Sequence, residues 1–206
     1  MLPNGRRLGA HLPLGRGMVR AVDRAAAIGA SALQVFSDNP TSWRRRETLP
    51  RELPAFRDRL VAHDITPLAI HAPYLVNLAG PEPDLHDRSV SVLANEIRVA
   101  AAYGARFVNV HVGSHRGAGP GPGVDRLADG IRQVFELADT DAVPGTDAVM
   151  LVLENGAGAG FGMGATFEEL QLIDEAVAAA GVDGARFGFC LDTAHAWGAG
   201  YPIDTP

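Results

Sequence analysis

Six short runs of apolar, β-forming residues recur along the chain, about 40 residues apart. Most of them are continuous rather than alternating, which is typical of parallel strands that are buried on both faces. The predicted strands cover residues 8–12, 32–36, 67–72, 106–112, 149–155 and 186–192. The pattern therefore predicts a parallel sheet.

Amphipathic segments with helical spacing separate these runs. The clearest covers residues 86–103, where Val90, Leu93, Ile97 and Ala101 fall on one face. The other predicted helices cover residues 17–28, 50–62, 124–138 and 166–180. Strand and helix thus alternate from one end of the chain to the other.

Glycine marks the predicted junctions between helix and strand. Gly29, Gly104 and Gly184 each precede a strand, at the position where a left-handed residue ends a helix. The stretch GAGPGPG, residues 117–123, predicts a loop between a strand and a helix rather than a domain boundary. The sequence therefore indicates a single domain over residues 1–206.

The alternation of strand and helix predicts the α/β class, either as an open doubly wound sheet or as a barrel. Polar residues at the ends of the predicted strands favour the barrel. His71, His111, Glu154 and Asp192 each close a strand, and barrel enzymes build their active sites at these ends. We predict a TIM-type (β/α)8 barrel architecture with about six of its eight βα units in this chain.

The composition says more about the compartment and partners of the protein than about the reaction it catalyses. The net charge of −6 provides no general basic field, so any contact with DNA depends on local patches or bound metal. The single cysteine, Cys190, excludes a disulfide framework within the chain. The sequence shows neither a signal peptide nor an apolar run that could span a membrane. These features predict a cytoplasmic protein.

Five residues at the predicted strand ends carry the candidate chemistry: His71, His111, Glu154, Asp192 and, three positions later, His195. Each alone has an ordinary explanation, because a strand-end histidine is commonly hydrogen-bonded and a carboxylate commonly caps the next helix. On a barrel, however, all five would converge at one mouth. Imidazole and carboxylate together favour zinc or manganese.

Five segments also resemble the signature segments of the endonuclease IV family of apurinic/apyrimidinic endonucleases. They are QVFSDNPTSW, HAPYLVNLAGP, NVHVGSH, LVLENGAGAG and CLDTAHAWGAGY. That family has a (β/α)8 barrel with three zinc ions at its mouth and cleaves DNA on the 5′ side of an abasic site. The resemblance implies a zinc-dependent hydrolase of base-excision repair that acts as a monomer on double-stranded DNA.

The resemblance also implies a role for each candidate residue. His71 and His111 match ligands of the first zinc, and Glu154 matches the carboxylate shared by the first and second. Asp192 matches a ligand of the second zinc and His195 a ligand of the third, so that Glu154 and Asp192 carry the catalytic assignment. The family's remaining ligands would lie beyond residue 206. The resemblance therefore implies a C-terminally truncated barrel with about one complete zinc site, and the chain alone is expected to be inactive.

Residues in two loops are the candidate contacts to DNA. Tyr74 and Leu75 match side chains that wedge into the minor groove beside the extruded nucleotide. Trp43 and Arg44, in the stretch WRRR, are predicted to contact phosphates. The alternatives are loop packing for the first pair and a solvated charged surface for the second.

The sequence departs from the family pattern at several positions. Thr41 or Ser42 stands where a basic or amide side chain is common, and Val112 stands where proline is usual. Gly156 and Ala159 stand where threonine and a polar residue are common, which predicts a looser loop beside Glu154. None of these departures removes a candidate ligand.

Two other functions fit the same fold. One is a metal-dependent sugar isomerase or epimerase, which uses one or two metals at a similar barrel mouth. The other is a non-catalytic remnant that binds metal or DNA. The segments NPTSW, YLVNL and DTAH favour the endonuclease, because they match a DNA-facing loop, a wedge and a third-metal ligand. Incision of abasic DNA, compared with turnover of ketoses, separates the first two functions.

Overall fold

The structure is a computed structural model that describes residues 5–140 and 143–203. Within these ranges six strands alternate with six α-helices. The strands are β1 Gly9–His11, β2 Ala32–Val35, β3 Leu68–His71, β4 Phe107–His111, β5 Met150–Glu154 and β6 Phe187–Cys190. The helices are α1 Met18–Ala27, α2 Leu53–Ala62, α3 Pro83–Tyr103, α4 Pro120–Thr140, α5 Phe167–Ala179 and α6 Thr193–Gly198, and a short 3-10 helix, Thr146–Ala148, precedes β5.

The strands form one parallel sheet in the order β1-β2-β3-β4-β5-β6. Paired residues of parallel neighbours point to the same face, and three pairs matter here: His71 with Asn109, His111 with Glu154, and Glu154 with Cys190. In the described residues, β1 and β6 form the two edges of the sheet. The arrangement is that of a partial (β/α)8 barrel, as predicted.

The opposite face of the sheet packs against the helices. Leu151 and Leu153 alternate with Glu154 along β5 and are fully buried, because successive side chains of a strand point to opposite faces. From α3, Leu93 and Ile97 are fully buried, which confirms the predicted apolar face of that helix. The core therefore holds the strands in place, and the other face carries the polar residues.

The glycine junctions were predicted correctly in two of three cases. Gly29, with a φ angle of 78°, follows the C-cap residue of α1, and Gly104, with a φ angle of 73°, is itself the C-cap of α3. The prediction for Gly184 was wrong, because α5 ends at Ala179 and Gly181, with φ 83°, takes the left-handed position. Several residues of turn then separate this helix end from β6.

α4 begins at Pro120, inside the stretch that was predicted to be a loop. Proline is well tolerated in the first turn of a helix, where its missing N–H would have had no intrahelical partner. α3 and α4 are the longest helices, with 21 residues each. Neither they nor any other helix of the described ranges is long and apolar enough to cross a membrane.

Candidate metal centre

The five candidate residues lie together at the carboxyl end of the sheet. His71, His111 and Glu154 are the last residues of β3, β4 and β5. Asp192 is the N-cap of α6, just after β6, and His195 lies in that helix. The parallel register of the strands brings these residues to one edge, as the sequence predicted.

Glu154 lies at the centre of this cluster. Its Oε2 atom lies 3.7 Å from His71 Nε2, and its Oε1 atom lies 3.7 Å from His111 Nε2 and 3.5 Å from His195 Nδ1. Possible ligand atoms of His71, His111 and Glu154 lie within 4.8 Å of one another, and the same holds for Glu154, Asp192 and His195. The carboxylate is therefore common to two groups of donors.

Hydrogen bonds orient the first group. His71 Nδ1 lies 2.7 Å from the carbonyl oxygen of Ala72, so this nitrogen carries the proton and Nε2 presents its lone pair to the cluster. The side-chain amide of Asn109 donates to Glu154 Oε2. Partial burial lowers the pKa of His111, although the charge of Glu154 acts in the opposite direction. The neutral form of His111, which is the form that binds a metal, is therefore favoured.

Asn155 holds the second group. Its Oδ1 accepts from the backbone N–H of Asp192 at 2.6 Å, and its Nδ2 donates to the Asp192 carbonyl at 3.2 Å. The Asn155 carbonyl oxygen lies 2.8 Å from His195 Nδ1. The backbone N–H of His195 in turn donates to Asp192 Oδ1 at 2.9 Å and lowers the pKa of that carboxyl. Asp192 is thus an ionised ligand candidate in a fixed position.

The donor chemistry fits a divalent transition metal. The distances of 3.7 Å from the Glu154 oxygens to the Nε2 atoms of His71 and His111 are too long for hydrogen bonds. They are close to the spacing of about 3.3 Å that two nitrogen or oxygen ligands have on a tetrahedral zinc. Imidazole and carboxylate are also the ligand types that such metals prefer. How the five residues would be divided among several ions stays a prediction.

Comparison with known proteins agrees with this geometry. Residues 22–205 match the xylose isomerase-like TIM barrel family. A relative from Halothermothrix orenii named "Probable endonuclease 4" is 38% identical over 197 residues, which are 96% of this chain and 67% of the relative. The chain belongs to the endonuclease IV family. The chain thus resembles enzymes of the deoxyribonuclease IV type.

Solved structures give the same result. Endonuclease IV from Thermus thermophilus superimposes with a TM-score of 0.75 at 38% identity, covering 95% of this chain and 66% of that protein. A D-tagatose 3-epimerase-like protein has a TM-score of 0.70 over 97% of this chain and 69% of that protein, but at 17% identity it shares the fold alone. The chain spans about two thirds of the length of its endonuclease IV relatives.

The sequence analysis did not identify His11, which lies beside the cluster of candidate metal ligands around Glu154. This residue ends β1, and its ring stacks against that of His71 with centroids 5.8 Å apart. Its Nδ1 lies 3.1 Å from Gln34 Nε2, and Phe36 contacts both histidine rings. The rule that selected the other strand-end histidines would have found His11 as well.

The two candidate wedge residues lie at the rim of the mouth. Tyr74 is 55% exposed, and its ring lies 5.6 Å from the ring of His71 and 5.9 Å from that of His111. Leu75 is half-buried. Tyr74 therefore lies between two candidate metal ligands and the solvent-exposed rim of the mouth.

The residues of the basic stretch WRRR differ in burial and in ion pairing. Trp43 is half-buried and packs against the core, while Arg44 is exposed and its guanidinium has no ion-pair partner among the described residues. Arg45 and Arg46 instead form ion pairs with acidic side chains of the protein. Of the three arginines, Arg44 is thus the one available to a phosphate.

Two departures from the endonuclease IV pattern have structural explanations. The backbone N–H of Val112 donates to the Glu154 carbonyl at 3.3 Å, a bond that proline cannot form. At Gly156 an added Cβ would lie 2.6 Å from the Met163 carbonyl oxygen, and the Gly156 N–H donates to the Gly164 carbonyl oxygen at 2.9 Å. Glycine therefore lets these backbone segments approach each other closely, and a looser loop beside Glu154 stays a prediction.

Proposed function

We propose that this protein is a zinc-dependent endonuclease that hydrolyses the DNA phosphodiester 5′ to an abasic site in base-excision repair. The observation that carries the proposal is the Glu154 carboxylate, which lies between two groups of histidine and carboxylate donors at the ends of four strands. The relatives of this chain that are named "Probable endonuclease 4" support an endonuclease reaction.

His71, His111 and Glu154 would hold one ion, and Glu154 with Asp192 and His195 would supply ligands toward others. Bound zinc supplies Lewis-acid chemistry, because it neutralises phosphate charge and makes water more acidic. The chain's own groups prepare the site for this. Asn109 and Asn155 fix the carboxylate and the segment after β6, so that the donors need little reorganisation on binding.

The composition favours hydrolysis over elimination. Enzymes that cleave abasic sites through a covalent imine need an amine, and the side chain that usually supplies it is lysine. All 18 cationic residues of this chain are arginine. Arginine stays protonated and cannot act as that nucleophile. The side chains of these 206 residues are therefore suited to a reaction in which water attacks the phosphate.

The decisive experiment uses a duplex with a tetrahydrofuran abasic analogue, which lacks the aldehyde that elimination requires. The zinc-loaded 206-residue chain is expected to cut this duplex, to leave a 3′ end that a polymerase extends, and to leave an intact duplex uncut. The convergence of all five donors around Glu154 supports this outcome. A zinc-loaded, folded chain that leaves the duplex uncut would instead agree with the expectation that the chain alone is inactive. Epimerisation of ketoses without incision would favour the sugar-converting alternative. Specific binding of the abasic duplex without cutting would favour the non-catalytic alternative.

The metal content gives an independent prediction. We expect about one tightly held zinc per chain after dialysis, because His71, His111 and Glu154 form a group of three donors and the other ligands share Glu154. Elemental analysis measures this number directly. Three tightly held ions per chain would contradict the prediction, and so would complete loss of metal under conditions that keep the chain folded.

A further inference from the structure

A buried ion pair links α3 to the loop that follows β2. Glu96, on α3, is fully buried. Its Oε1 lies 3.3 Å from Arg45 Nη1, and its Oε2 accepts from Ser37 Oγ at 2.5 Å. Burial raises the pKa of Glu96, while the hydroxyl of Ser37 and the charge of Arg45 act against this. The protein thus keeps a carboxylate in its interior at a solvation cost.

Arg45 extends this link into the rim loop, which we define as residues 36–52 between β2 and α2. Its Nη2 donates to the carbonyl oxygen of Asn39 at 2.9 Å and to that of Ser42. One planar guanidinium therefore joins the helix to two backbone positions of the loop. A lysine could not do this in the same way, because its single ammonium lacks the fixed fork of donors.

The rim loop in turn contacts the segment that carries the candidate wedge. The backbone N–H of Tyr74 donates to the carbonyl oxygen of Pro40 at 3.1 Å. Trp43 and Arg44 directly precede Arg45, so the residues held by Arg45 are the neighbours of the candidate phosphate contacts. The buried pair thus reaches both segments that face the proposed substrate.

We propose that Arg45 and Glu96 are positioning residues, which hold the rim loop in the shape that presents Arg44 and Tyr74 to abasic DNA. The proposal rests on the proposed function. Apolar residues of similar volume would stabilise this part of the core as well as a buried ion pair does, or better. What they cannot supply is the pair of bonds to the Asn39 and Ser42 carbonyls, and these bonds fix the loop.

The test separates positioning from folding. Arg45→Met and Glu96→Leu, made singly, are expected to lower the melting temperature, because each leaves a buried polar group without its partner. The double variant Arg45→Met/Glu96→Leu should regain most of the melting temperature. It should still bind the tetrahydrofuran duplex about 10-fold or more weakly than the parent chain, because the loop is no longer held in place. Arg59→Met, which removes one positive charge from a surface pair with Asp23, is the matched control and should bind normally.

Hydrogen exchange gives a second measurement that needs no DNA. Amides of residues 38–46 should exchange faster in the double variant, while those of α3 and β4 stay protected. Recovery of binding together with the melting temperature would overturn the positioning role, and so would unchanged exchange in the rim loop. A parent chain that shows no preference for the abasic duplex would instead contradict the proposed function, and the exchange measurement would still decide the role of Arg45 and Glu96.

Discussion

Glu154→Gln is expected to abolish tight metal binding and to lower incision of abasic DNA by at least ~100-fold, the order found when one key electrostatic group is removed. The side chain belongs to both donor groups, and both of its oxygens face histidines at 3.5 to 3.7 Å. Glutamine keeps the volume but loses the negative charge. Its neutral amide also offers one oxygen in place of two, so neither group of donors stays complete.

Elemental analysis and the incision assay check this result together. Glu175→Gln is the matched control, because it makes the same chemical change at an exposed position of α5. The control should keep both metal and activity, and the melting temperatures of the two metal-free variants should be similar. A Glu154→Gln protein that retains metal and cuts at the parent rate would show that the metal assignment is wrong.

The fold could be predicted because buried parallel strands appear in the sequence as short continuous apolar runs. All six strands and five of the six described helices were predicted with boundaries that differ by a few residues. The convergence of His71, His111, Glu154 and Asp192 followed from one rule, that parallel strands align their carboxyl ends at one edge. α6 was not predicted as a helix, since its six residues are too few for a periodic pattern.

The residues that orient the site were not predictable in the same way. Asn109 meets a carboxylate 45 positions away, and Asn155 meets a backbone segment 37 positions away. Such contacts exist only after the strands have paired, so local sequence contains no sign of them. The same reason explains Arg45, which stands in a run of three arginines but points inward to a helix 51 positions further along the chain.

The fold alone does not choose between the candidate functions. A sugar epimerase-like protein at 17% identity superimposes almost as well as an endonuclease IV at 38%. What distinguishes the proposed function is the surface around the mouth, where Tyr74 is exposed beside the histidines and Arg44 is exposed on the rim loop. Tests on these side chains therefore probe the substrate, whereas tests on Glu154 probe the metal.

Tyr74→Ala combined with Leu75→Ala is expected to weaken binding of the abasic duplex about 10- to 100-fold, with little change for an intact duplex. Stacking contacts of this kind contribute about 1–3 kcal/mol per base. A wedge acts only where the nucleotide can leave the helix, and the missing base lowers the free-energy cost of this step at an abasic site.

Because the Tyr74 ring also contacts His71 and His111, metal content must be measured in the same samples. Tyr74→Phe, which keeps the ring and its contacts, is the control and should bind and retain metal normally. Equal losses on both duplexes would assign the two residues to general backbone contact, and loss of metal in the double variant would assign Tyr74 to support of the histidines.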